Sequence, residues 1–170
     1  MSESVRIRAI TLGMVTLRAA PELAVQVVAA AGLPGLPERR MSTRKGEVAV
    51  LWMSPDEVMV VCPLGAGAGL ASRLTEAIGD GHGTAVDMSA ARQVFELTGV
   101  GVRGVLAGLM PVDFDRLAPE EVRRTRMAQI PVALWRYGEG WRLACFRSVA
   151  GYASDLLHIA AGLEPAPAGG

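Results

Sequence analysis

The sequence predicts an α+β protein of two fused ferredoxin-like halves, βαββαβ and then βαββα, with antiparallel sheets covered by helices. Two observations carry this. The order strand, helix, hairpin, helix occurs twice, near residues 5–90 and again near 91–162, and each helix pattern ends at a glycine or a loop. The predicted domain covers residues 1–162. Residues 163–170, Leu-Glu-Pro-Ala-Pro-Ala-Gly-Gly, have no apolar period and are expected to be a disordered tail.

From Val5 to Leu17, apolar and β-branched residues interleaved with Arg6 and Arg8 predict one long or broken strand. Pro21 suits a first helical turn, Leu23, Val27, Val28 and Ala31 recur on one face, and Gly32 supplies the stop. Residues 33–46 read as a loop. Glu47–Met53 and Val58–Cys62 form a hairpin about Ser54-Pro55-Asp56-Glu57, where Pro55 presets the turn. Leu70, Leu74, Ala77 and Ile78 predict a second helix, stopped by Gly79, and Thr84–Met88 a further strand.

The second half opens with a strand over Arg92–Leu97 and a helix carrying Val102, Val105, Leu106 and Leu109. A charged loop follows. Ile130–Trp135 and Trp141–Phe146 pair across Tyr137-Gly138-Glu139-Gly140. Ser148 is the expected cap of a last helix, whose core face includes Tyr152, Leu156, Leu157, Ile159 and Ala160 before Gly162. No closing strand follows it.

Composition narrows the function. The 170 residues carry 17 basic and 17 acidic side chains, so no bulk attraction to nucleic acid or anionic membrane is expected. No apolar run approaches the roughly 18 residues of a membrane helix, and the N-terminus lacks a signal pattern. A cytoplasmic protein fits, with Cys62 and Cys145 as free thiols inside strands.

The chemistry-bearing motifs are each better explained by structure. Gly99-Val-Gly101-Val-Arg-Gly104 matches a dinucleotide fingerprint, but that fingerprint needs a parallel crossover and an acid about 20 residues on. Asp113 and Asp115 come too soon. Gly65-Ala-Gly67-Ala-Gly69 has no phosphate-loop lysine after it. His82, His158, Cys62 and Cys145 lack the spacing of paired zinc ligands, so no metal is expected. Ser89, with His82 and Asp87 nearby, lacks a nucleophile elbow, and Asp87 and Ser89 are expected to cap or turn the chain. Two basic loops, Arg39, Arg40, Arg44 and Lys45 and then Arg123, Arg124 and Arg126, suit solvent or an anionic ligand such as a folate tail.

Several ordered segments carry a resemblance: Trp52-Met-Ser-Pro-Asp-Glu-Val-Met, Val86-Asp-Met-Ser-Ala-Ala-Arg92, Phe95-Glu-Leu-Thr-Gly99, Pro111-Val-Asp113, Thr125-Arg-Met-Ala-Gln-Ile-Pro131 and Phe146-Arg-Ser-Val-Ala-Gly-Tyr152. Over residues 5–162 the chain resembles the gamma subunit of heterotetrameric sarcosine oxidase. The resemblance implies a fold related to the folate-binding part of aminomethyltransferases and a non-catalytic structural role beside alpha, beta and delta subunits. It also implies a complex that oxidatively demethylates sarcosine to glycine, yielding hydrogen peroxide and methylene-tetrahydrofolate. FAD, FMN, NAD and zinc would then reside on the partners, with tetrahydrofolate as co-substrate of the complex. No catalytic, cofactor-binding or metal-binding residue carries over to this chain. Trp52, Trp135, Arg147 and Tyr152 are the expected partner-interface residues, although each aromatic would be equally at home in an internal core. Two competing readings are a free-standing folate-binding aminomethyltransferase-like protein and an unrelated homodimeric binding protein.

Overall fold

The apolar run at the N-terminus is broken, and its two pieces enter different sheets. In the computed structural model, which describes residues 4–165, β1 spans Arg6–Ile10 and β2 spans Gly13–Ala19. β1 pairs with β7 (Arg92–Thr98), whereas β2 pairs with β5 (Glu57–Cys62) and β6 (Gly83–Asp87). Contacts accordingly divide the chain into one unit over Thr11–Ala90 and another that joins the described residues up to Ile10 to those from Ala91 onward. Residues 5–10, assigned above to the first half, thus belong with the second.

The Thr11–Ala90 unit runs β2, α1 (Pro21–Ala30), β3 (Ser42–Lys45), β4 (Val48–Ser54), β5, α2 (Gly67–Ile78) and β6. Its sheet order is β3-β4-β5-β2-β6 and every pairing is antiparallel, as a split βαβ unit requires. Helix α1 starts with Pro21 in its first turn and stops at Gly32, whose φ is 69°. There Leu33 N–H donates to Val28 O at 3.1 Å and Gly32 N–H to Ala29 O at 3.0 Å, the Schellman pair that satisfies the last carbonyls. Val27, Val28, Leu70 and Leu74 of the two helices pack on Val15, Leu17 and Val60 of the sheet. Met14, Leu51 and Met59, on the opposite face, are buried too, so these strands read as continuous apolar runs rather than alternating ones.

The other unit runs β7, α3 (Val102–Leu109), β8 (Val122–Met127), β9 (Ile130–Tyr137), β10 (Gly140–Phe146), a short 3-10 turn over Arg147–Val149 and α4 (Ala150–Ala160). Its sheet order is β1-β7-β10-β9-β8, again antiparallel throughout. The closing strand that the second half lacks is supplied by β1. Leu106, Leu157 and Ala153 of the helices pack on Phe95, Leu97 and Leu143. Helix α4 ends as α1 does, with Leu163 N–H on His158 O and Gly162 N–H on Ile159 O.

Three expectations need correction besides the half boundary. The loops expected over 33–46 and before Ile130 contain the edge strands β3 and β8, whose cationic sequences hide the strand pattern. Ser148 does not cap α4: it lies within the 3-10 turn, and the helix begins at Ala150 without a side-chain cap. The face of α4 turned to the core is Ala153 and Leu157 with the partly buried Leu156, while Tyr152 and Ile159 are exposed by 49% and 64%. Of the tail, residues 166–170 lie outside the described residues.

Candidate functional site

The Thr11–Ala90 unit carries an apolar cleft of about 260 Å³ beside Trp52. Leu17, Leu36 and Val58 line it with the half-buried Trp52, and Arg39, Asp56 and Glu57 add charged groups. The loop before β3 is fixed at one side by Thr43 Oγ1 donating to Gly35 O at 2.5 Å and by Trp52 N–H donating to Met41 O at 3.1 Å. Within it Arg40 takes a left-handed backbone, φ 63°, which L side chains rarely adopt. Ala19 N–H donates to Asp56 O at 3.0 Å, which ties the β4–β5 turn to the end of β2 where both residues line the cleft. The Ser54 hydroxyl donates to Asp56 Oδ1 at 2.7 Å and holds that carboxyl below its usual range, while Glu57 is paired with Arg18 at 2.7 Å. Such a cleft can take an apolar group against the indole, with the charged residues fixing its orientation.

The four expected interface residues do not share one environment. Trp52 lines the cleft. Trp135 is 1% exposed in β9, on the sheet face away from the helices, with no hydrogen-bond partner for its Nε1 among the described residues. Arg147 is exposed and secures the start of β7, its Nη2 donating to Arg92 O at 2.8 Å and its Nη1 to Gln93 Oε1 at 3.3 Å. Tyr152 is half exposed on α4. Nearby in sequence, Phe146 is 42% exposed beneath the Arg92 guanidinium, 4.2 Å from the ring centroid.

The chemistry candidates are held in structural contacts. Asp87 Oδ1 accepts from Ser89 N–H at 2.9 Å and from the Ser89 hydroxyl at 2.5 Å, while Ser89 Oγ accepts from Met14 N–H at 3.0 Å. The serine proton is thereby committed to closing a turn at the end of β6, and these bonds keep the Asp87 carboxyl below its usual range. Gly67 lets α2 approach this turn, since a Cβ there would meet Ser89 Oγ at 2.7 Å. Cys62 and Cys145 lie buried in β5 and β10, where burial pushes both thiols up. His158 Nδ1 is 2.8 Å from Ser154 O on its own helix. Among the described residues no three ligand-type side chains gather as a metal site. The dinucleotide-like motif has another cause: a Cβ on Gly99, whose φ is 113°, would overlap the Ser4 carbonyl oxygen. The glycine admits a neighbouring strand rather than a pyrophosphate.

One charged constellation escapes the sequence reading. Glu96 faces Arg8 across one strand pairing and Arg142 across the other, at 2.8 and 3.0 Å. The Arg142 guanidinium also lies 3.3 Å over the Tyr137 ring. Burial pushes the Glu96 carboxyl up, but the two guanidinium groups outweigh it and hold the carboxyl below its usual range. The missing clue was β1, whose partner strand cannot be read from local pattern.

Among the described residues, two antiparallel sheets and four helices in this order define a fold of the aminomethyltransferase type. Aminomethyltransferase T of the glycine cleavage system from Bartonella henselae superposes with a TM-score of 0.68 at 14% identity, over 91% of this chain and 45% of that one. The model of the sarcosine oxidase, gamma subunit family matches residues 16–161, and the chain belongs to that family. It is 38% identical over 130 residues to the sarcosine oxidase subunit gamma of Arthrobacter sp, covering 74% of this chain and 63% of the relative. Its identity to the subunit gamma of Corynebacterium sp. strain P-1 is 43% over 93 residues, covering 54% and 45%. The chain thus spans less than two thirds of the length of these curated relatives. A chain of the heterotetrameric sarcosine oxidase from Corynebacterium sp. U-96 superposes with a TM-score of 0.88 at 28% identity, over 100% of this chain and 90% of that one. The fold and the family implied by the sequence segments both hold.

Proposed function

We propose that this chain is a non-catalytic structural subunit of a heterotetrameric sarcosine oxidase, assembled with alpha, beta and delta partners. The observation that carries the reading is the whole-chain superposition, TM-score 0.88, on a chain of such a complex. The hydrogen-bonded Asp87–Ser89 turn and the two buried thiols support it, because these groups are held within the fold. In this reading the complex oxidises the N-methyl group of sarcosine and passes the one-carbon unit to tetrahydrofolate. Glycine leaves, and dioxygen accepts the electrons as hydrogen peroxide. FAD, FMN, NAD and zinc are held by the partner subunits. A reducing cytoplasm suits the two free cysteines.

Co-expression with the three partner subunits, purified through a tag on this chain, tests the proposal. The expected product is a four-subunit particle with sarcosine-dependent peroxide release. Recovery of this chain alone, with no captured subunit, removes the reading. The aminomethyltransferase-type fold and the Trp52 cleft favour a second reading, a free-standing folate-binding protein. Calorimetric titration of the isolated chain with tetrahydrofolate separates the two, since only the second expects saturable heat.

A further inference from the structure

Among the described residues four strands form sheet edges: β1, β3, β6 and β8. Edge strands invite pairing with other chains, and proteins guard them with cations, proline or short length. β1 carries Arg6 and Arg8, the four-residue β3 ends in Arg44 and Lys45, and β8 carries Arg123, Arg124 and Arg126. β6, Gly83-Thr-Ala-Val-Asp87, has no cation, no proline and an apolar Val86 that is 50% exposed.

We propose that the open edge of β6 is a docking strand for an extended segment of another subunit, which adds a sixth strand to this sheet. The inference rests on the subunit reading above. Its basis is backbone chemistry. Met88 N–H donates to Met14 O at 2.7 Å, and the β2–β6 register pairs Thr16 with Val86 and Arg18 with Thr84. Bonded pairs alternate along an antiparallel ladder, so Thr84 and Val86 spend their backbone groups on β2. Gly83, Ala85 and Asp87 therefore point their N–H and C=O groups away from it. Such a row is complementary to an extended backbone.

Charge selects the occupant further. The exposed Asp87 carboxylate directs only Oδ1 to Ser89, so a matching strand places a cation beside Asp87 and an apolar or β-branched residue beside Val86. A second copy of β6 does not fit this description. Paired antiparallel about Ala85, it would set Gly83 opposite Asp87 and bring no cation.

The test uses the complex made by co-expression. By hydrogen exchange, the Ala85 and Asp87 amides of the assembled wild-type chain should exchange at least tenfold more slowly than an unstructured reference. Ala85→Pro removes one outward donor while sparing the β2 ladder, and Val86→Lys adds the guarding charge that β6 lacks. Each should lower recovery of the partner subunits at least tenfold. Reference-rate exchange at Ala85 and Asp87 within an assembled complex overturns the proposal and leaves the subunit reading standing. Wild-type recovery with both variants, or self-association of this chain through β6, overturns it as well. Failure of the wild-type chain to capture any subunit removes the subunit reading and this inference together. If Ala85→Pro fails to fold, the wild-type exchange and Val86→Lys decide.

Discussion

The α-carbon of Gly99 lies so close to the Ser4 carbonyl oxygen that a methyl group could not fit between them. At this point the chain entering β1 meets the end of β7, with Arg6 opposite Thr98. Gly99→Ala should therefore cost about 3 kcal/mol, combining a left-handed φ of 113° with a backbone overlap that no rotamer relieves. Gly104 is different. It lies in α3 with nothing near its would-be Cβ, so Gly104→Ala should add up to about 1 kcal/mol through helix propensity. Chemical denaturation of both variants checks this. A dinucleotide turn, in which the third glycine is needed for close packing, would predict a loss at both positions.

Much of the fold was legible because its signals are local. Pro21 and Gly32 bracket α1, Pro55 sits in the β4–β5 turn, and both cysteines fall in apolar strands as expected. What escaped was non-local. β3 and β8 look like loops because Arg44, Lys45 and Arg123–Arg126 guard open edges, and their strand character appears only in the register with β4 and β9. The departure of β1 from β2 left no mark beyond Thr11-Leu12, so neither the Glu96 cluster nor the role of Gly99 could be read. The interface candidates were chosen by residue type, which cannot separate a buried Trp135 from a cleft-lining Trp52.

Glu96 gives the second prediction. Its side chain is 15% exposed and its carboxyl is held below the usual value of 4.5, with Arg142 and Arg8 overcoming burial. A carboxyl whose folded pKa is depressed contributes stability above its unfolded pKa and loses it as pH falls through the folded value. Glu96→Gln should thus cost about 2 kcal/mol near neutral pH, leaving Arg142 without its countercharge, and the gap to wild type should close below pH 4.5. Urea denaturation from pH 7 to 3 measures it. A gap independent of pH would assign the effect to shape rather than charge.

Two hairpins offer a matched pair of turns. Gly46, φ 60°, follows β3, and Ala128, φ 52°, follows β8. An L side chain in this region is strained by roughly 1 kcal/mol, offset in part because glycine loses more entropy on folding. Gly46→Ala should cost about 1 kcal/mol, whereas Ala128→Gly should be neutral or gain up to about 1 kcal/mol. A loss for Gly46→Ala without one for Ala128→Gly is the expected result in thermal denaturation, and a loss at both sites would mean that the Ala128 methyl group contributes packing.

The two thiols should report on their own units. Cys62, in the Thr11–Ala90 unit, is 3% exposed, and burial together with the Asp87 charge raises its pKa against a smaller opposing effect of Arg73. Cys145, in the other unit, is 0% exposed, and burial raises it against Arg92 and Arg147. The thiolate is the reactive form, so neither cysteine should react with an aromatic disulfide reagent in the native chain at pH 8, while both should react in guanidinium chloride. A raised folded pKa contributes stability below the unfolded value and loses it as pH rises through the folded one, so stability should also decline above pH 9.0. Under native conditions slow alkylation must await opening, and mass spectrometry can assign each modification. Equal rates at Cys62 and Cys145, matching global unfolding, would mean that both units open together. Unequal rates would show that the less stable unit opens alone, and immediate labelling of either thiol would contradict its burial.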